Sequence, residues 1–154
     1  MSQIENEEFD IFISYNWDIK EQVVQLHNKL MESNIKVWRD DTSMRNNDSP
    51  LTEQLAKGIK NSKLFICCIT KKYDDSKNCN LEINYAHSIN KAIMVLMMEK
   101  IEVANLKPGI GIIIGSLARI NCYRNPTNWF DVNFDEIKKS IESNLAVNKH
   151  VNKY

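Results

Sequence analysis

At 154 residues the chain has the bulk for one domain built around a single sizeable core. Its 43% hydrophobic and 26% charged residues exclude disordered and fibrous classes, and a formal net charge of +0 leaves no electrostatic footprint for nucleic acid or an anionic membrane. A specific neutral or small-molecule partner fits that balance better, with neither nucleic acid nor a membrane expected.

Residues 1–8 read as an acidic tail, without the basic start and apolar run of a secretory signal, and no apolar run reaches membrane-spanning length. Phe9 to Tyr15, FDIFISY, is a short apolar run of strand type. Asp18 then stands as a helix cap with Glu21 at the third helical position, and Ile19, Val23, Leu26 and Leu30 share one face of the helix that follows. Asn34 ends it, and Ile35 to Trp38 reads as a second strand. The polar run Arg39 to Ser49, RDDTSMRNNDS, is long for a loop in a compact domain, which marks it as functional. Pro50 opens a second helix, with Ser49 as its cap and Leu51, Leu55 and Ile59 at four-residue spacing.

Lys63 to Thr70, KLFICCIT, is apolar on both alternating faces, as a central parallel strand covered on both sides should be. The helix opened by SKNCNLEINYA follows, then Ala92 to Met98 as a fourth strand and Ala118 to Tyr123 as a weaker fifth. Between those strands, the glycine-interrupted apolar stretch Lys107 to Leu117 fits either a short packed helix or a surface for neighbouring copies. The last helix is expected from Asn133, with Glu136 completing a capping box and Phe134, Ile137, Ile141 and Leu145 facing in, before a tail over residues 147–154.

Strands alternating with helices imply right-handed crossovers and a parallel sheet. The expected fold is α/β: a flavodoxin-like three-layer sandwich with a five-stranded parallel sheet in the order 2-1-3-4-5 and helices on both faces. In that order ligands bind beyond the carboxyl ends of strands one and three, where the winding reverses. The chain delivers Tyr15, Asn16 and Trp17 there after strand one, and Cys79 and Glu82 after strand three.

Several chemistries are excluded at that crevice. The turn SYNWD has no glycine for close approach to phosphate, which makes a Rossmann-type cofactor or a P-loop a poor reading. Thr70-Lys71-Lys72 stands where a phospho-acceptor receiver needs an acid. His27, His87 and His150 are scattered, and Cys67, Cys68, Cys79 and Cys122 lack zinc spacing. Reduced thiols in a cytoplasmic protein are therefore expected, with no metal and no cofactor.

Glu82 has two readings. On the helix opened by SKNCNLEINYA, periodicity gives Leu81, Tyr85, Ala86 and Ile89 to the buried face and Asn84, His87, Ser88 and Lys91 to the wet one. Glu82 falls three, four and seven residues before Tyr85, Ala86 and Ile89, so it leans inward, where an unpaired carboxylate is costly. Either Cys79 caps this helix with Glu82 as its box partner, or Glu82 is a reagent at the crevice. Trp38 and Trp17, both at the carboxyl edge, likewise fit packing or stacking on a planar ring.

Taken together, FDIFISYNWD, VWRDD, LTEQLAKGIKNSKLFICCIT and SKNCNLEINYA resemble the Toll/interleukin-1 receptor (TIR) domain, over residues 9–146. FDIFISY looks like the family's first box, Arg39 to Ser49 corresponds to its BB loop, and Trp129-Phe130 is similar to the third box with the two aromatics reversed. The BB loop here lacks the usual proline and glycine, which weakens the likeness to adaptor modules and favours the branch that cleaves NAD at the nicotinamide-ribose bond.

The resemblance implies that Glu82 is catalytic, with Cys79 completing a C-x-x-E context and Asn78 standing where some members carry tryptophan. It further implies a nucleotide site lined by Tyr15, Asn16, Trp17, Trp38 and Cys79, Asn16 and Trp17 replacing basic residues of some relatives. Nicotinamide and ADP-ribose, or a cyclic ADP-ribose, would be the products, in innate immune or cell-death signalling. NAD is then a substrate, and the other expected partners are further TIR domains, meeting through Asp41, Thr42, Ser43, Met44 and Arg45 in a homo-oligomer or filament. A non-enzymatic TIR scaffold acting through TIR–TIR contacts is the alternative.

Overall fold

Among the described residues five strands alternate with helices, as the apolar runs require. The computed structural model describes residues 7–38, 51–124 and 128–151. The strands are β1 (Phe9–Ser14), β2 (Val37–Trp38), β3 (Ser62–Ile69), β4 (Ala92–Met97) and β5 (Arg119–Asn121), and the helices are α1 (Lys20–Glu32), α2 (Leu51–Lys60), α3 (Lys71–Asp75), α4 (Lys77–Ser88), α5 (Pro108–Ile114) and α6 (Trp129–Val151). All strand pairs are parallel and the sheet order is β2-β1-β3-β4-β5, the expected flavodoxin-like winding. The register sets Phe12 beside Phe65 and Ser14 beside Cys67.

The period of two along each strand sorts the core into two halves. Ile11, Ile13, Leu64, Ile66, Met94 and Leu96 pack with Val23, Leu26 and Leu30 of α1 and Ile137 and Ile141 of α6. Their neighbours Phe12, Phe65, Cys67, Ile69, Val95 and Met97 pack on the other side with residues of α2, α3, α4 and α5. The result is helix, sheet and helix in three layers, with both faces of the central strands dry. Among the described residues no helix is long and apolar enough to cross a membrane.

Asn34 ends α1 as its sequence position suggests, at φ 62°. The Ile35 amide closes back on the Leu30 carbonyl at 3.0 Å. Asn tolerates this left-handed backbone better than most side chains do.

Three local expectations are corrected. Asp18 does not cap α1: it lies in a 3-10 turn, Trp17–Ile19, capped by Asn16, whose Oδ1 accepts from the Asp18 amide at 3.2 Å. The last helix starts at Trp129 rather than Asn133, because Trp129, Asn133, Ile137 and Ile141 recur every four residues and all are buried. Asn133 is thus interior to the helix, its Nδ2 donating to the Trp129 carbonyl at 2.5 Å, and the helix continues to Val151. In α4 the buried stripe is Cys79, Ile83 and Ala86, whereas Leu81 is 52% exposed and Ile89 also points outward.

Helix α3, five residues long, is too short to leave a periodic signal and was not expected. The stretch from Lys107 to Leu117 contains α5, which buries Ile110, Ile113 and Ile114 but leaves Ile112 81% exposed. The loop Arg39 to Ser49, with Asp41, Thr42, Ser43, Met44 and Arg45, lies outside the described residues, as do Pro50 and the side chains of Leu51 and His150.

Candidate functional site

Strand β1 ends in a polar residue on an apolar ribbon. Because Phe12 faces α2 and α4, Ser14 two residues on faces the same way and is fully buried. A buried hydroxyl needs partners, and Ser14 has two. Its Oγ donates to Glu82 Oε1 at 2.7 Å and lies 2.8 Å from the Tyr73 hydroxyl.

Glu82 stands in the second turn of α4 and is partly buried. The cap of that helix is Ser76, whose side chain accepts from the Cys79 amide at 3.2 Å. Cys79 is therefore already inside the first turn, and Glu82 is six residues beyond the cap. The capping-box reading of Cys79 and Glu82 fails on that spacing. The helix dipole is strongest in the first turn, and the Ser14 hydroxyl at 2.7 Å gives the carboxylate a fixed donor.

Tyr73 reaches Ser14 from α3, whose cap is Thr70, the residue that follows β3; the Thr70 hydroxyl accepts from the Tyr73 amide at 3.0 Å. The next residue, Asp74, is buried and accepts from the Lys107 amide at 2.9 Å, pinning α3 to the start of α5. Asn80 of α4 donates to the Asp74 and Ser76 carbonyls at 2.9 and 2.7 Å. A short helix is thus tied at both ends, and its tyrosine is held under the crevice. Burial pushes the Tyr73 phenol well above the usual tyrosine range, with Cys67, Glu82 and Cys79 adding to the shift and the Ser14 hydrogen bond opposing it. The phenol is a neutral donor at physiological pH.

The expected site residues divide between places. Glu82 and Cys79 share the α4 face with Ser14, and Cys79 is buried in that core. Trp38 belongs to the same half but is only 5% exposed, its ring stacked on Phe12 at 4.6 Å between centroids and 12° between planes. Gly58 fits against it so tightly that a Cβ there would stand 2.7 Å from Trp38 Cε2. That geometry is the packing use of Trp38 which the sequence left open. Tyr15, one residue past Ser14, turns into the opposite half with Ile11 and Ile13.

Asn16 caps the 3-10 turn, and Trp17 stands 60% exposed at its start with Lys20 Nζ 3.9 Å from the ring centroid. Asp18 lies near Lys72 and Glu99 on this rim: burial raises its carboxyl above the usual range, Glu99 adds to the shift and Lys72 opposes it. The crevice edge therefore mixes both signs of charge.

Sequence reasoning missed Ser14 and Tyr73. The signal for Ser14 was present, since a serine two residues after Phe12 on a buried strand must find a polar partner on the helix side of the sheet. Tyr73 left no such signal, because α3, at 5 residues, is too short for an apolar repeat to show.

A cavity of about 280 Å3 lies elsewhere, at the amino ends of β3 and β4, and is lined by Lys60, Ser62, Lys63, Asn90 and Lys91 among others. The length of β3, 8 residues or roughly 25 Å, separates it from the Glu82 crevice. Among the described residues, no group of three or more His, Cys, Asp or Glu side chains could hold a metal ion.

Solved structures share this architecture. The TIR domain of the Toll-related receptor TRR-2 from Hydra magnipapillata superposes with a TM-score of 0.69 at 14% identity, covering 87% of this chain and 98% of that one. The TIR domains of the activated Roq1 resistosome, which directly recognises the pathogen effector XopQ, give 0.57 at 17% identity over 92% and 84% of the two chains. A metazoan TIR-STING receptor from C. gigas gives 0.58 at 15% identity, over 80% of this chain but 39% of that longer one. At these identities the likeness shows the fold alone. No curated protein matches the chain in sequence. The family model described as TIR domain matches residues 11–138, most of the chain, and with the sheet order and the position of α4 this makes the protein a member of the TIR domain family.

Proposed function

We propose that this TIR domain cleaves the nicotinamide-ribose bond of NAD, with Glu82 as the catalytic residue. The observation that carries the reading is one carboxylate, held by a buried hydroxyl, on the helix beside the carboxyl ends of β1 and β3. Open parallel sheets bind ligands at that position.

The chemistry needs little more. In NAD the pyridinium nitrogen is cationic, so when the C1′–N bond breaks the electron pair leaves with a neutral nicotinamide and no general acid is required. The two-carboxylate arrangement of most glycosidases is unnecessary here. Glu82 would accept hydrogen bonds from the ribose hydroxyls and stabilise the oxocarbenium-like charge that develops at C1′. Capture by water gives ADP-ribose, and capture by the adenine ring gives a cyclic product.

Substrate contacts from Tyr15, Asn16, Trp17, Trp38 and Cys79 form part of the same proposal, with unequal support. Trp17, exposed at the rim with Lys20 over its ring, would stack on a base or pyridine. Buried Trp38 and Cys79 fit the floor of the site better than its ligand-facing wall, and Tyr15 would act through the backbone turn that leads to Asn16. Assembly of copies through Asp41, Thr42, Ser43, Met44 and Arg45 would order the long loop and complete the site, in an innate immune or cell-death setting inside the cell.

A non-enzymatic scaffold is the competing reading, and the outward Ile112 on α5 favours it as a contact for a neighbouring copy. Nicotinamide release by the purified chain, and its loss in Glu82→Ala, separates the two.

A further inference from the structure

Resting on the assignment of Glu82 as the catalytic carboxylate, we propose that Ser14 and Tyr73 are positioning residues, forming a one-way hydrogen-bond relay that fixes the plane and the charge of that carboxylate.

The direction follows from counting protons. Ser14 has a single hydroxyl hydrogen, and an ionised carboxylate can only accept. The 2.7 Å contact to Glu82 Oε1 therefore uses the Ser14 proton. At 2.8 Å the Tyr73 hydroxyl must then be the donor to Ser14 Oγ. The relay runs from Tyr73 to Ser14 to Glu82, and each donor after the first is strengthened by accepting from the one before it.

Each link is anchored to a different element. Ser14 sits on β1, Glu82 on α4, and Tyr73 on α3, so the relay spans 59 and 68 residues of sequence. Both hydroxyl residues are fully buried, which removes competition from water. Rotation of Tyr73 is blocked by its place in the α2–α5 half of the core, and α3 cannot shift without breaking the Thr70 cap, the Asp74 bond to the Lys107 amide and the Asn80 bond to the Asp74 carbonyl. The Ser14 hydrogen bond helps to hold Glu82 in one rotamer, and misplacement of a reacting group by about 1 Å costs on the order of a hundredfold in rate. Holding Oε1 narrows the orientations open to Glu82 before substrate arrives. Neither Ser14 nor Tyr73 needs to touch NAD.

The test uses Ser14→Ala and the milder Tyr73→Phe in the full chain, beside Glu82→Gln, with two readouts. In steady-state nicotinamide release, Ser14→Ala should lower kcat by about 10- to 100-fold and Tyr73→Phe by a few-fold, both with KM nearly unchanged. Independently of turnover, an NMR titration of the Glu82 side-chain carboxyl should move upward in Ser14→Ala, and by less in Tyr73→Phe, since a donor to the charged form is lost. Tyr73→Phe keeps the ring and so keeps the packing. An unmoved Glu82 titration in both variants overturns the relay, and a moved titration with wild-type kcat overturns its positioning role. If the wild-type chain releases no nicotinamide, or Glu82→Gln stays active, the functional reading fails instead, and the relay still stands or falls on the titration.

Discussion

The Ser76 hydroxyl accepts the Cys79 amide at 3.2 Å, which makes Ser76 the cap of α4 and releases Glu82 from any capping duty. The consequence is a separation of stability from chemistry along one helix. Ser76→Ala should lower unfolding free energy by about 1 kcal/mol, the usual value of a side-chain cap. Glu82→Gln should cost less than that, because an amide oxygen can still accept from Ser14. Chemical denaturation of the two variants checks the ordering, and a larger loss in Glu82→Gln would return the carboxylate to a structural role.

Gly58 and Trp38 provide a packing test. An added Cβ would stand 2.7 Å from Cε2 and 2.9 Å from Cδ2 of a ring already stacked on Phe12. The ring has nowhere easy to go, so Gly58→Ala should destabilise by about 1–3 kcal/mol and shift tryptophan emission. An unchanged melting curve would mean that this half of the core is looser than described.

Much of this architecture was legible in the sequence. The apolar runs of β1, β3 and β4 and the stripe of α1 are long-range patterns that burial enforces, and the sheet order followed from them. Asn34 was readable because a left-handed residue after a helix has few candidates. What failed was local and short: the start of α6, where Trp129 extends the apolar repeat, and α3, whose five residues carry no period. Glu82 and Cys79 could be placed on their helix, but the face of α4 was turned, with Leu81 outside and Ile83 inside. Ser14 and Tyr73 joined the site only through contacts between distant segments, which no window along the chain contains.

Buried thiols contribute to the loss of stability at alkaline pH. Burial pushes Cys67 up to about 12 from an ordinary 9.0, and burial with the nearby Glu136 takes Cys122 to about 12 as well. Above about pH 9 the unfolded chain loses protons that the folded chain keeps, so this contribution is complete below that pH and declines as pH rises toward 12. Each such group steepens the decline by up to about 1.4 kcal/mol per pH unit. Melting temperature should therefore fall as pH rises above about 9, and less steeply in Cys67→Ala. Equal slopes in both proteins would contradict the assignment.

Association should govern activity if the loop from Arg39 to Ser49 is ordered by a neighbour. That loop carries Asp40, Asp41, Asp48, Arg39 and Arg45, and a polar segment of this length is costly to order alone. Turnover per molecule should rise with protein concentration or crowding, and Met44→Asp combined with Arg45→Glu should blunt the rise without lowering the melting temperature. Head-to-tail contacts need not close, so filaments are the expected assembly. Flat specific activity from dilute to concentrated protein would favour a self-sufficient pocket.

The most direct test is incubation of the purified, concentrated chain with NAD while nicotinamide is followed by chromatography. Wild-type protein should release nicotinamide with ADP-ribose or its cyclic form, and a Glu82→Gln protein with an unaltered melting curve should lose at least about a hundredfold in rate. Full turnover in Glu82→Gln, or no release from wild-type protein already assembled, would contradict the account.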